Sequence, residues 1–240
     1  MDKLGREWVM KYVIAFLLSF IIVVALIPPL RRAALRIGFV DKPRADSERK
    51  IHREPIPLTA GIAIFAGFTA VYLIFVRDTW TQSLAILGGG LLILLIGLVD
   101  DWYKTHGKEF PALPKMAVQL SAAVLVYASG IVFAGFENPF TGSYVSLPEW
   151  LSFLFTVLWI FGVTTVINFS DGMDGLAGGL SAISAGTLLV VALVMSQQGS
   201  AMMAVITVGI SAGYLVFNRP PAKVFMGDAG ATYLASCSAS

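Results

Sequence analysis

The stretch "WLSFLFTVLWIFGVTTVINFSDGMDGLAGGLSAISAGTLLVVALVM", Trp150–Met195, holds two apolar runs separated by one short acidic turn. The runs, Trp150–Ile167 and Leu176–Met195, each approach the roughly 20 residues that a helix needs to cross a bilayer. Backbone polar groups in hydrocarbon must be paired within their own segment, so runs of this kind are helices. Between them, "NFSDGMDGLAGG" (Asn168–Gly179) places two carboxylates, Asp171 and Asp174, at the mouth of the second helix.

The pattern extends in both directions. Further apolar runs fall at about 12–30, 59–76, 83–99, 115–134 and 201–217, and another begins near Ala229. The 240-residue chain is 57% hydrophobic and 13% charged, with a mean hydropathy of +0.78. A water-soluble domain of this length does not need that much apolar surface. The expected fold is an all-α, polytopic transmembrane helical bundle with about seven complete helices and the start of an eighth. The first run ends at Pro28-Pro29 with arginines beyond it, and reads as a retained helix rather than a cleaved signal peptide. A single cysteine, Cys237, excludes an internal disulfide framework. The net charge of +2 does not suggest a nucleic-acid partner.

The loops give an orientation. Arg31, Arg32, Arg36, Lys42, Arg44, Arg49, Lys50 and Arg53 lie between the first two helices. Lys104, Lys108 and Lys115, then Arg219 and Lys223, fall in later loops on the same side, against Lys3, Arg6, Lys11 and Arg77 opposite. Basic residues collect on the cytoplasmic side, so the N-terminus is expected outside and odd-numbered helices run inward. Parity then puts three segments at the inner face: "GLVDDWYKTHGKEFPALPK", "NFSDGMDG" and "NRPPAKVFMGDAG".

Asp100, Asp101, Asp171, Asp174 and Asp228 are therefore expected in one cytoplasm-facing cleft. A carboxylate near hydrocarbon is costly and tends to mark a functional site. Several on one side repel each other unless cations intervene, and Mg²⁺ suits the need because it takes one or two carboxylates plus substrate oxygens. On a helix start, Asp171 and Asp174 would face the same way, with Gly172 and Gly175 permitting close backbone approach. Asp100 and Asp101 stand about 100° apart on a helix, so one points inward while the other supports it. Plainer readings exist for each. Asp100 and Asp101 could be interfacial charges, Asp171 and Asp174 could cap the sixth helix, and "GDAG" could be a turn. His52 and His106 read as solvated loop histidines. The convergence of three acidic segments on one face favours function.

In order and spacing, "RKIHREPIP", "GLVDDWYKTHGKEFPALPKMAVQ", "NFSDGMDGLAGG" and "KVFMGDAG" resemble the polyprenyl-phosphate N-acetylhexosamine-1-phosphate transferases, glycosyltransferase family 4. That family includes initiators of teichoic acid and O-antigen synthesis and the phospho-MurNAc-pentapeptide transferase of peptidoglycan. The resemblance implies transfer of a sugar-1-phosphate from a UDP-N-acetylhexosamine to undecaprenyl phosphate, with Mg²⁺ required and UMP released. It implies a multi-pass protein of the bacterial plasma membrane whose active site faces the cytoplasm. Asp100 and Asp101 would engage or deprotonate the prenyl phosphate, and Asp228 would hold Mg²⁺. Asn168, Asp171 and Asp174 would arrange the nucleotide-sugar and the metal's surroundings, Asp174 as a further ligand. Lys115, with Gln119 one turn on, would meet phosphate as a point charge, and Lys50 and His52 would bind substrate. "RKIH" favours the UDP-GlcNAc branch.

The chain departs from the family's usual residues at Leu58 and Ala60, at Thr165 and at Ala231. The resemblance also implies ten or eleven helices and a histidine-containing inner loop beyond Ser240. The expectation is a single transferase domain, 1–240, incomplete at its C-terminus. Two alternatives stand beside it: a non-catalytic truncated remnant, and an ion-coupled transporter. A transporter would carry charges near the bilayer midplane, and the helix interiors here are almost free of charge. The sequence leaves the oligomeric state open.

Overall fold

The computed structural model describes residues 3–41, 55–76, 79–138 and 140–239. Among these, eight helices carry the chain: α1 (Lys3–Ile37), α2 (Ala60–Phe75), α3 (Trp80–Thr105), α4 (Ala112–Ala128), α5 (Glu149–Ser170), α6 (Leu176–Val194), α7 (Gln198–Asn218) and α8 (Gly227–Ala239). Two short antiparallel pairs sit in the loops. Val40–Asp41 (β1) pairs with Ile56–Pro57 (β2), and Gly135–Glu137 (β3) with Tyr144–Ser146 (β4). The fold is an all-α membrane bundle.

Five helices, α1, α3, α5, α6 and α7, are long and apolar enough to cross a membrane. α2 and α4, with 16 and 17 residues, are shorter apolar helices. At 1.5 Å per residue α2 spans about 24 Å, short of a hydrocarbon core about 30 Å thick.

One boundary differs from the sequence reading. α1 does not stop at Pro28-Pro29 but continues to Ile37 with both prolines inside it. Proline's fixed φ is itself helical, and its cost is a lost N–H and crowding of the preceding turn. Membrane helices tolerate that cost through small local adjustments. The actual stop is Gly38, whose φ of +75° turns the chain so that the Phe39 N–H bonds the Ala34 carbonyl at 2.9 Å. This is a glycine-based C-terminal cap.

The outer surface is apolar. Val9, Val13, Leu17 and Ile21 repeat along one exposed face of α1, and Leu84, Leu91 and Leu95 stand exposed on α3. Patches of that extent are incompatible with a monomer in water and suit a lipid face. Inside the bundle α7 packs against α1 and α6, while α8 lies against α2, α3 and α5. Lipid tails are as apolar as leucine, so helix association depends on close packing of small residues. Gly61 of α2 meets Gly230 of α8 so closely that a Cβ on Gly61 would lie 2.6 Å from the Gly230 nitrogen. Gly97 of α3 lies directly against the Ala229 backbone. The buried Tyr233 ring meets Phe65 and Phe68 edge-on, with centroids 4.9 and 5.9 Å away. These contacts seat the first turn of α8 between α2 and α3, which fixes where Asp228 lies.

Candidate active site

At one end of the bundle, the C-termini of α3 and α5 and the N-termini of α4 and α8 converge on Asp228. Its Oδ2 accepts from the ammonium groups of both Lys104 and Lys115 at 2.5 Å. Its Oδ1 accepts from the Asn168 amide at 3.1 Å. Lys115 also donates to Asp100 Oδ2 at 2.9 Å, and Lys104 lies 3.5 Å from the same oxygen. Thus one residue from α8 gathers side chains from α3, α4 and α5.

The two neighbouring aspartates of α3 do different work. Asp100 joins the ionic cluster. Asp101 is buried, 1% exposed, and accepts the backbone N–H groups of Asp228 at 3.0 Å and Ala229 at 3.4 Å. Those are unpaired donors of the first turn of α8, so Asp101 caps that helix from the neighbouring α3. Gly227, with a φ of +67°, makes the turn into α8.

The segment between α5 and α6 is not a helix start. Asp171 is the residue that closes α5, and α6 begins only at Leu176. Nor do these acids cap α6, whose N-cap is Gly175 with no side-chain hydrogen bond. Gly175 has a φ of +78°, which breaks the helical path and leaves 171–175 as a turn. Within it, Asp174 Oδ2 accepts the Ala222 N–H at 2.9 Å and so ties the turn to the α7–α8 loop. Burial pushes the Asp171 carboxyl well above the usual carboxylate range, and the Asp228 and Asp101 carboxylates add to that. Asp171 thus shares the electrostatic field of the cluster.

Two residues of α7, not singled out by the sequence, hold the loop that leads to Asp228. Asn218 is buried. Its Oδ1 accepts the Gly175 N–H at 2.8 Å, and its Nδ2 donates to the Val224 carbonyl at 3.0 Å. The buried Tyr214 hydroxyl accepts the Met226 N–H at 3.2 Å. Nothing in the local sequence marks Asn218, because both partners lie in other segments. Asn218→Ala is expected to destabilise the protein by about 1–3 kcal/mol, the cost of orphaning buried partners, read as a lower unfolding temperature in detergent.

Gln119 is buried one turn along α4 from Lys115. Lys50 and His52 lie outside the described residues. Leu58 packs with Ala34 and Phe39, and the backbone N–H at Ala60 reaches the Phe225 carbonyl at 3.3 Å, a bond that does not depend on the side chain there. Thr165 donates its hydroxyl to the Phe161 carbonyl within α5, and Ala231 is fully buried.

The donor set bears on a metal. Among the described residues no three of His, Cys, Asp and Glu group as a metal site. Mg²⁺ does not need three, because it usually takes one or two carboxylates and fills its octahedron with water and phosphate oxygens. Asp228 and Asp100 direct oxygens at one shared ammonium, that of Lys115. Two carboxylates already facing one cation fit that pattern.

Residues 83–240 match glycosyl transferase family 4. The chain belongs to that family. It is 36% identical over 95% of its length to a probable undecaprenyl-phosphate N-acetylglucosaminyl 1-phosphate transferase of Bacillus subtilis, and covers 61% of that protein. It is 32% identical over 83% of its length to a decaprenyl-phosphate N-acetylglucosaminephosphotransferase of Mycolicibacterium smegmatis, covering 52% of it. It is 29% identical over 92% of its length to a phospho-N-acetylmuramoyl-pentapeptide-transferase of Staphylococcus carnosus, covering 71%. The chain therefore spans between half and two thirds of the first two relatives. With such relatives and five long apolar helices, this member of the family is a multi-pass membrane protein.

Proposed function

We propose that the Asp228 cluster belongs to a transferase that moves GlcNAc-1-phosphate from UDP-GlcNAc to undecaprenyl phosphate and releases UMP. The observation that carries this reading is the convergence of Asp100, Lys104, Lys115 and Asn168 on Asp228 at one end of a membrane bundle. An oxygen of the lipid phosphate attacks the β-phosphorus of the nucleotide-sugar. The bond from that phosphorus to the bridging oxygen breaks, and UMP departs with the electron pair. Such a reaction needs in-line placement and charge neutralisation more than covalent chemistry.

The side chains divide that work. Lys104 and Lys115 present two ammonium groups to phosphate oxygens. Asp100 stands where it can accept a proton from, or orient, the acceptor phosphate. Asp101 holds α8, and through it Asp228, in place. Asp228, with Asp100 beside it, would hold Mg²⁺, which when bound supplies positive charge against the diphosphate. In this reading Asp100 takes the place of Asp174, expected from the sequence as the further ligand, because Asp174 Oδ2 accepts the Ala222 N–H. The turn 171–175 lies at the edge of the cluster, where Asp171 and Asn168 would meet the nucleotide-sugar. The higher identity to the N-acetylglucosaminyl transferase supports UDP-GlcNAc over the muramoyl-pentapeptide donor. The bias of Lys and Arg in the sequence supports a cytoplasmic site, where UDP-sugars are made, and this step would initiate a surface polysaccharide.

The test is direct. The purified chain in detergent is incubated with undecaprenyl phosphate, Mg²⁺ and radiolabelled UDP-GlcNAc or UDP-MurNAc-pentapeptide. Lipid-linked radioactivity from UDP-GlcNAc is the expected result, at a rate well below that of the full-length Bacillus subtilis relative, of which this chain spans 61%. Product from the pentapeptide donor alone would overturn the sugar assignment, and product from neither would overturn the activity.

A further inference from the structure

We infer that Lys104 and the metal ion compete for one carboxylate oxygen, Asp228 Oδ2, so that binding of the ion releases the Lys104 ammonium toward the phosphates of the substrate. The inference rests on the reading of Asp228 as a metal ligand and deepens it.

Asp228 Oδ2 lies 2.5 Å from two ammonium nitrogens. A divalent ion bonded to that oxygen at about 2.0–2.1 Å leaves no room for both. It would also add strong like-charge repulsion at contact distance. One lysine must leave. The structure distinguishes them. Lys115 is 19% exposed and held by Asp228 at 2.5 Å and Asp100 at 2.9 Å. Lys104 is 45% exposed, and its second carboxylate is farther, at 3.5 Å. Lys104 also sits on the last turn of α3, four residues from Asp100, with its flexible stem beside open solvent. Lys104 is the more exposed of the two and has the longer second contact, so it can exchange its carboxylate for water more readily than Lys115, and it is the one to move.

Two consequences follow. Lys104 weakens metal binding to the protein alone. A diphosphate that receives the released ammonium strengthens it, and by reciprocity the metal strengthens diphosphate binding. Lys104 thereby couples the ion to the nucleotide.

Mn²⁺ serves as the probe, with free ion read by electron paramagnetic resonance on the full chain in nanodiscs, with and without UDP. For the unaltered protein, UDP should tighten Mn²⁺ binding. Lys104→Met should bind Mn²⁺ about tenfold more tightly without UDP, since a charge-assisted contact no longer competes, and should lose most of the UDP effect. Lys104→Gln is the second uncharged variant should the methionine fail to fold. Lys104→Arg should retain the competition. Lys108→Met removes an exposed charge nearby and should change nothing. Unchanged or weaker Mn²⁺ binding in both uncharged Lys104 variants would overturn the competition while leaving the metal reading intact, provided Asp228→Asn abolishes binding. Equal tightening in the Lys108 variant would overturn it in favour of bulk electrostatics. Mn²⁺ binding unaffected by Asp228→Asn would overturn the metal reading and the competition together.

Discussion

Asp228→Asn is expected to lower sugar-phosphate transfer by at least about a hundredfold, the scale on which loss of one electrostatic stabiliser acts in an enclosed site, while the protein stays folded in the membrane. Asparagine keeps the size of the side chain and an oxygen for the Asn168 amide to reach. It removes the negative charge that two lysines share. Lys115 keeps Asp100 as a partner, and Lys104 is exposed enough to turn to water. The packing of α8 rests on Gly61, Gly97 and Tyr233, which the substitution leaves alone. The fold should therefore survive while the charge that would hold an ion against the diphosphate is gone. Turnover is measured across a range of Mg²⁺ concentrations, with elution from gel filtration in detergent as the check on folding. Near-normal turnover at limiting Mg²⁺ would refute the role.

What the sequence made legible follows from the solvent. In lipid every backbone group is paired locally, so the length of an apolar run dictates a helix, and the helices lie close to where the runs do. Helix parity likewise follows from counting, which is why Asp100, Asp101 and Asp228 could be expected at one end. Local spacing failed where the outcome depends on distant contacts. Pro28 and Pro29 look like a stop, yet Gly38 stops α1. Asp171 and Asp174 look like a helix start, yet Gly175 turns the chain and Asp174 bonds Ala222. The division between Asp100 and Asp101 was foreseeable from their angle on a helix, but not which of them would cap α8, because the capped donors lie 127 and 128 residues away. Lys104 entered the sequence reading only as a basic loop residue, and its pairings with Asp100 and Asp228 came from the structure. Lys50 and His52 lie outside the described residues, so their part in the site rests on the sequence alone.

Gly227→Ala is the second substitution expected to have a large effect, and it reaches the site without touching a charge. The backbone at Gly227 has a φ of +67°, a conformation that costs an L-residue about 1–2 kcal/mol. The space is also taken. A Cβ there would collide with Asp101 Oδ2 and lie 2.8 Å from its Cγ. Asp101 is buried against α8 and has nowhere to retreat without breaking its bonds to the Asp228 and Ala229 N–H groups. Losing those bonds would cost about 1–3 kcal/mol more, since buried donors would be left unpaired. The alternative is for the first turn of α8 to shift, and Asp228 is the next residue. Either way the carboxylate moves relative to Asp100, Lys115 and Asn168, and a misplacement of about 1 Å in a positioned site can cost roughly a hundredfold in rate. The variant should therefore unfold several degrees lower in detergent and lose about two orders of magnitude in turnover. Mg²⁺ excess should not rescue it, because the oxygen is displaced rather than discharged. A Gly227→Ala protein with unchanged melting and unchanged turnover would show that Asp101 does not set the position of Asp228.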